Sequence, residues 1–184
     1  MSAMFKTKIL ILGPMQSGKT TIANYLADAT EMTGGDYRPT QGCRIVEFES
    51  NDLELNGQNI DAEVELWDCS GDLKFESCWP AIQREAHGVI LVCNPEVTQQ
   101  VKELEQWYNA FVARRGIKSN RVIIFKHRKP RVDGSMPPQT ASFQTTLSEV
   151  KAVATSIEDD GESLRLEFNN FLCNIISGLA NSVE

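Results

Sequence analysis

Lys8-Ile9-Leu10-Ile11-Leu12-Gly13-Pro14-Met15-Gln16-Ser17-Gly18-Lys19-Thr20 runs an apolar segment of strand length into a glycine turn. A continuous apolar run of this kind reads as a buried parallel strand, whose two faces are both covered. From Thr20 to Ala29, Ile22, Ala23, Leu26 and Ala27 recur at helical spacing until Thr33-Gly34-Gly35 breaks the pattern. Between strand and helix, Gly13 to Thr20 fits G-x-x-x-x-G-K-[ST] without a mismatch. The glycines let the chain curl so that backbone N–H groups converge, and the helix adds its positive N-terminal end. Such a cradle holds a polyphosphate. Lys19 would reach the β- and γ-phosphates and the Thr20 hydroxyl would ligate Mg2+. Average residue usage gives a chain of this length roughly a 1% probability of the match by chance, before the strand and helix flanks are required.

Downstream, Ile45, Phe48, Leu53 and Leu55 lead to Asn56-Gly57, and Ile60, Ala62, Val64 and Leu66 then alternate with Asp61, Glu63 and Glu65. Asn-Gly between two such runs is a hairpin signal, because both central positions of a type I′ turn need φ > 0. Gly88 to Cys93 and Val122 to Phe125 read as further buried strands, with Val101, Leu104, Trp107, Tyr108 and Phe111 at helical spacing between them. Arg128 to Pro138, rich in proline and basic residues, reads as a surface loop. Glu149 to Thr155 reads as a last strand with Val150, Ala152 and Ala154 on one face. Leu164, Phe168, Phe171, Leu172, Ile175, Ile176 and Leu179 form the apolar stripe of a closing helix, with Asp159 and Asp160 at its N-terminal end. The order predicts a three-layer α/β P-loop NTPase fold, a mostly parallel six-stranded sheet with one antiparallel hairpin, as one domain over residues 1–184.

The 184 residues suit one domain, and 41% hydrophobic with 23% charged residues is ordinary for a soluble globular protein. A formal net charge of −7 disfavours nonspecific attraction to nucleic acid or anionic lipid. The basic run Lys126 to Arg131 reads as packing at a base edge. No run approaches the ~20 apolar residues of a membrane-spanning helix. The sequence shows no signal peptide, no glycine at position 2 and no prenylatable C-terminal cysteine, so a cytosolic chain without its own lipid anchor is expected. Five cysteines with no C-x-x-C pair predict buried free thiols and neither disulfides nor a zinc site. No nucleophile–base arrangement is visible; Trp67 reads as core, His87 as structural, and Trp79 as either core or interface.

Leu66-Trp67-Asp68-Cys69-Ser70-Gly71 sets an acidic residue just past a hydrophobic strand, where a carboxylate can hold a metal ion, often through water. D-x-x-G alone is a weak signal, also compatible with a polar strand end. Its weight comes from the hairpin before it and its place 49 residues after Lys19. Tyr37-Arg38-Pro39-Thr40-Gln41-Gly42 lies between the phosphate loop and the hairpin. In this order, phosphate loop, Tyr-x-Pro-Thr, hairpin and Trp-Asp-x-x-Gly resemble the Ras-like small GTPases across the whole chain. More narrowly, Tyr-x-Pro-Thr-Gln-Gly, Trp-Asp-Cys-Ser-Gly-Asp and Glu158-Asp159-Asp160 before the last helix resemble the Rab-like subunit of intraflagellar transport complex B.

The resemblance implies GTP or GDP with Mg2+, held by Gly13, Pro14, Met15, Gln16, Ser17, Gly18, Lys19, Thr20 and Thr21. It implies Tyr37 over the phosphates, Thr20, Thr40 and Asp68 on the metal, and the Gly71 N–H on the γ-phosphate, both loops being released when that phosphate is lost. Ser156 and Ile157, in Thr155-Ser156-Ile157, resemble the loop whose backbone touches the purine oxygen. It further implies a chain, monomeric before assembly, that docks on coiled-coil subunits of that complex in the cilium or at its base, with no nucleic-acid partner.

Four departures bear on activity. Asp72 stands where the family keeps its catalytic Gln, and a carboxylate beside a γ-phosphate repels it, so hydrolysis should be slow and no residue is assigned as catalytic. Met15 occupies a position that is glycine in efficiently activated relatives and would crowd an arginine finger. The base-reading Asn-Lys-x-Asp is replaced by Lys126-His127-Arg128-Lys129-Pro130, so that His127 stands for the Asn and the Arg128 side chain could cover the base face. The C-terminal lipid cysteines of membrane-cycling Rab proteins are missing. Two alternatives follow: a scaffold subunit using nucleotide only for folding, or a P-loop kinase or ATPase. The hairpin before Asp68 and the lack of an arginine-rich lid oppose the latter.

Overall fold

The computed structural model describes residues 3–29, 38–130, 142–143 and 145–180. Strand β1 (Ala3–Leu12) leads through the phosphate loop into helix α1 (Lys19–Leu26). Strands β2 (Cys43–Leu55) and β3 (Gln58–Cys69) follow, then a 3-10 turn and the short helix α2 (Trp79–Gln83). Strand β4 (Gly88–Cys93), helix α3 (Thr98–Phe111), strands β5 (Val122–His127) and β6 (Lys151–Thr155), and helix α4 (Ile157–Ala180) complete the order. The six strands lie in the order β2-β3-β1-β4-β5-β6, with only the β2–β3 pair antiparallel. This is the α/β architecture that the sequence predicts.

Strand β1 begins five residues before the apolar run, and its register explains why. Ala3 through Ile11 pair with β3, but only Ile9 through Leu12 also pair with β4. Where β1 has a neighbour on one side only, its residues alternate, with Met4 exposed and Thr7 buried. Where it has neighbours on both sides and helices on both faces, every residue is apolar. Ile9 and Ile11 join the core layer beneath α1 and α4, whereas Leu10 and Leu12 join the layer beneath α3. The period of two distributes one strand between two cores.

At the hairpin, Asn56 (φ 53°) and Gly57 (φ 75°) take the left-handed conformation that a type I′ turn demands. The turn fixes Leu55 opposite Gln58 and Leu53 opposite Ile60. A β-bulge then shifts the register by one between Ser50 and Leu53, with Asp52 at φ 56° and its N–H donating to Asp61 Oδ1 at 3.1 Å. Beyond the bulge, Arg44 faces Asp68 and Cys43 faces Cys69.

Three sequence expectations need correction. In β6 the inward residues are Val153 and Thr155, while Ala152 and Ala154 are exposed; Val150 is buried but precedes the strand. An edge strand has little cover on its second face, so the apolar period there misleads. The cysteines are all free, but Cys78 is exposed, Cys43 and Cys173 are half-buried, and Cys43 and Cys69 sit with their sulfurs 3.6 Å apart. Trp67 is only half-buried: Lys8 Nζ sits 3.7 Å above its ring. Trp79 is half-buried too, its ring tilted against Trp107 and Phe111 with centroids 5.1 and 5.0 Å away. His87 is structural as read, its Nδ1 accepting from the Lys8 N–H at 2.9 Å. Most of the loop from Arg128 to Pro138 lies outside the described residues, as does Tyr37.

Helix α4 buries Leu164, Phe168, Phe171, Leu172, Ile175 and Ile176 in one stripe, with Phe168 5.9 Å from Phe48 across to β2. Asp160 (φ −156°, ψ 66°) interrupts its first turn, and the Asp160 Oδ1 accepts from the Ser163 N–H at 3.1 Å, capping the main body of the helix. Truncating Phe168 to Ala should cost about 3–5 kcal/mol in urea denaturation. Leu166→Ala on the exposed face should stay within about 0.5 kcal/mol.

Candidate functional site

Strand β1 delivers the phosphate loop between the carboxyl ends of the parallel strands, where open α/β sheets bind ligands. Close neighbours leave no room for side chains at its two glycines. A Cβ on Gly13 (φ 147°) would lie 2.1 Å from the Val92 carbonyl oxygen, and one on Gly18 (φ 104°) would lie 2.5 Å from the His127 ring. Lys19, at the first turn of α1, is buried, and its Nζ donates to the Gly13 and Pro14 carbonyls at 2.9 and 2.7 Å. Burial pushes its ammonium down to about 8, with the Asp68 charge opposing the fall. A bound phosphate would supply the counter-charge that the loop carbonyls only partly replace.

The three oxygens assigned to a metal converge. The Thr20 hydroxyl donates to Asp68 Oδ2 at 2.7 Å and lies 3.0 Å from Thr40 Oγ1. Asp68 is fully buried at the end of β3. Burial raises its pKa, against the Thr20 hydrogen bond, Arg44 and Lys19, which favour the charged form. The Arg44 Nε is 3.7 Å from Asp68 Oδ2, and its guanidinium also meets Asn24 Oδ1. Among the described residues, Asp68 Oδ1 and Ser17 Oγ are buried without a hydrogen-bond partner. Two orphaned oxygens beside two hydroxyls, a lysine and a curled backbone fit a polyphosphate and a hard, oxygen-seeking cation such as Mg2+. The cavity at the loop, of about 240 Å3, is lined by Met15, Gln16, Ser17, Gly18, Lys19, Thr20, Thr21, Thr40 and Gly71, joined by Asn24, Arg38, Pro39, Cys69, Ser70 and Lys129, and the fully buried Asp68 lies behind that lining.

The second loop lies directly on the first. A Cβ on Gly71 would meet Met15 N at 2.4 Å and the Pro14 carbonyl carbon at 2.6 Å. Asp72 turns away: Oδ1 accepts from the Lys74 N–H at 3.0 Å and Oδ2 pairs with Lys74 Nζ at 3.2 Å, so that the carboxylate caps the 3-10 turn Leu73–Cys78. The Lys74 amide and ammonium hold its pKa below the ordinary value. Met15 and Asp72 border a separate hollow of about 570 Å3 against α3.

On the other side, a cavity of about 510 Å3 shares Gly18, Thr21, Asn24 and Lys129 with the phosphate cavity and extends to His127, Ile157 and Glu158. His127 is buried with Nδ1 3.1 Å from Thr155 Oγ1, bracing Gly18 from below. Burial pushes its pKa down to about 4, Lys129 adding to the fall. The ring is neutral at pH 7. Arg128 donates its backbone N–H to the Thr155 carbonyl at 2.9 Å, but its side chain lines neither cavity. Ser156 also lines neither, its hydroxyl donating to Asp159 Oδ2 at 2.8 Å. A groove of about 480 Å3 along β1, β2 and β3 shares no lining residue with the phosphate cavity and is walled by charged side chains such as Lys6 and Glu63.

A mostly parallel sheet with one antiparallel edge hairpin, a lysine-bearing loop after β1 and an acidic residue closing β3 define a P-loop domain of the Ras-like GTPase class. The family of the Ras of Complex, Roc, domain of DAPkinase matches residues 8–129. The chain is 43% identical over 183 residues to the intraflagellar transport protein 22 homolog of Danio rerio, covering 98% of this chain and 96% of that protein. It is 42% identical over 180 residues to that of Homo sapiens, covering 97% and 95%. Among solved structures, GTP-bound T. brucei IFT22/74/81 aligns with a TM-score of 0.72 at 31% identity, covering 96% of this chain and 98% of that chain. GDP-bound T. brucei IFT22 aligns at 0.67 and 32%, covering 94% and 97%. The chain belongs to the intraflagellar transport protein 22 family.

His127 supplies a prediction. An unfolded histidine takes its proton near pH 6.5, so between about pH 6.5 and about 4 the unfolded state binds more protons and stability falls as pH is lowered. The urea midpoint of the wild type should therefore drop more steeply through that window than that of His127→Asn. Parallel slopes would show that His127 carries no such linkage.

Proposed function

We propose that the chain is a guanine-nucleotide-binding subunit of intraflagellar transport complex B, which takes GTP or GDP with Mg2+ and hydrolyses GTP slowly. The observation that carries this reading is the meeting of Thr20, Thr40 and Asp68 beside a buried phosphate-loop lysine. Thr20 and Asp68 would hold the metal, Lys19 the terminal phosphates, and Thr40 would join only while a γ-phosphate is present. When bound, Mg2+ supplies charge neutralisation at the β- and γ-oxygens. The GTP- and GDP-bound relatives support the choice of base. The T. brucei complex with IFT74 and IFT81 supports docking on other intraflagellar transport subunits, their coiled-coil nature resting on the resemblance alone, and the family name supports a place in the cilium or flagellum. No described helix is long and apolar enough to cross a membrane.

Hydrolysis is slow on this reading because Asp72 is committed to Lys74 and, as a carboxylate, repels a γ-phosphate. Met15 adds an exposed side chain against the space where an activating arginine would enter.

Two measurements test it. Purified protein, denatured, should release GDP or GTP. The stripped protein in Mg2+ should then bind both at least roughly tenfold tighter than ATP, a difference of about 1.4 kcal/mol, and Lys19→Ala should abolish binding. Equal ATP binding, or none, would overturn the assignment. In single-turnover phosphate release, Asp72→Gln should raise the rate by roughly tenfold. An unchanged rate would place the block elsewhere.

A further inference from the structure

We propose that Cys43 and Cys69 are a modification site: hydrogen peroxide joins them in a reversible disulfide, which clamps the roots of the two loops beside the phosphate cavity. The chemistry of the pair stands on its own geometry. Its effect on nucleotide release rests on the nucleotide-binding reading above.

The two sulfurs meet because of the bulge. Cys43 opens β2 and Cys69 closes β3, and the register shift between Ser50 and Leu53 sets them opposite each other. Without the extra residue, Arg44 would face Cys69. One residue beyond the pair on each strand, the Ser70 N–H donates to the Gly42 carbonyl at 2.8 Å. Opposed residues flanked in this way form a non-hydrogen-bonded pair, with Cα atoms about 4.5 Å apart and side chains at their closest. A disulfide spans Cα atoms roughly 4.4–6.8 Å apart, so the backbone need not move to accept one. The sulfurs already lie 3.6 Å from each other, and rotation of the two side chains closes the rest. Cys78, Cys93 and Cys173 sit on other elements, in the 3-10 turn, at the end of β4 and on α4. Ordinary packing accounts for a buried thiol in an apolar layer. It does not call for two sulfurs in contact at the closest kind of cross-strand position, one of them half-open to solvent.

The reaction follows from that difference in exposure. Cys43, the more accessible of the two, gives up its proton, and its sulfur attacks one oxygen of hydrogen peroxide. The O–O bond breaks, the departing hydroxide takes a proton to become water, and Cys43 is left as a sulfenic acid. The Cys69 sulfur then attacks the Cys43 sulfur, the S–O bond breaks, and the hydroxide leaves with the Cys69 proton as a second water. Two thiols and one peroxide have become one disulfide and two waters. A small dithiol returns the pair to its reduced form by exchange.

Beyond the pair the strands part toward the site. Thr40, three residues before Cys43, reaches Thr20, while Gly71, two residues after Cys69, rests on the phosphate loop. A disulfide adds a covalent junction where the Ser70–Gly42 hydrogen bond holds the open end of the hairpin. Thr40 and Gly71 then keep their spacing when no γ-phosphate is present, and a bound diphosphate leaves more slowly.

The test uses the full chain carrying Cys78→Ser, which removes the exposed thiol that would link two copies. Loaded with fluorescent GDP in Mg2+, it is treated with hydrogen peroxide and then catalase. Intact mass should fall by two hydrogen atoms, unreduced peptide mapping should join the Cys43 and Cys69 peptides, and dithiothreitol should reverse both. GDP release should slow by roughly threefold or more on oxidation, and adding Cys43→Ser should abolish the cross-link and the slowing together. Peptides that stay unlinked, or sulfenic acid that persists on Cys43, would overturn the proposal. A cross-linked chain releasing GDP at the reduced rate would overturn the clamp. A reduced chain that binds no GDP would overturn the nucleotide-binding reading, and the mass change would still decide the thiol pair.

Discussion

A hydroxyl donated by the first turn of α1 to a fully buried carboxylate at the end of β3 joins the two halves of the site. Removing a carboxylate from water is costly, and the molecule offsets it with Thr20, Arg44 and Lys19 around Asp68. Apolar side chains of like volume would fill this space with less penalty. A partly satisfied charge in this position is therefore a mark of chemistry and not of stability. The same contact sets the distance between the phosphate loop and the hairpin, and brings Thr40 within reach of Thr20.

Much of the fold was legible because the sequence obeys simple periods. The apolar run of β1 marks where two strands flank it; Asn56-Gly57 marks the turn. The bulge was not legible. Counting back from the turn would set Ile45 opposite Asp68, whereas the extra residue near Asp52 sets Arg44 there. A single unpaired residue thus decides whether the buried acid meets a cation or an apolar chain. The face of β6 is illegible in the sequence for a related reason, since an edge strand hides one face poorly and small residues such as Ala152 carry no strong signal.

At the site, Lys19, Thr20, Asp68 and the loop glycines could be read from the motif, because their roles follow from backbone geometry near a phosphate. Arg44, Asn24 and Lys129 could not, since each arrives from a different element and only the tertiary arrangement brings them together. His127 stands in sequence where the family keeps an Asn, and a ring suits the place because it fills the space beneath Gly18 and ties to Thr155. Gly71 was assigned for its N–H alone, yet its missing side chain matters as much, because the backbone of the second loop rests on that of the first.

The bulge near Asp52 also acts on the outside of the molecule. Strand β2 is the edge of the sheet and runs 13 residues, a row of backbone groups long enough to recruit another chain. A flat edge of that length would template strand addition and, at high concentration, fibril-like stacking. The kink interrupts the row, and Glu47, Glu49 and Glu54 place like charges along it, so that two copies meeting edge to edge repel and fail to keep register. The residue that aligns a cation with the buried acid thus also protects the colloidal stability of the chain.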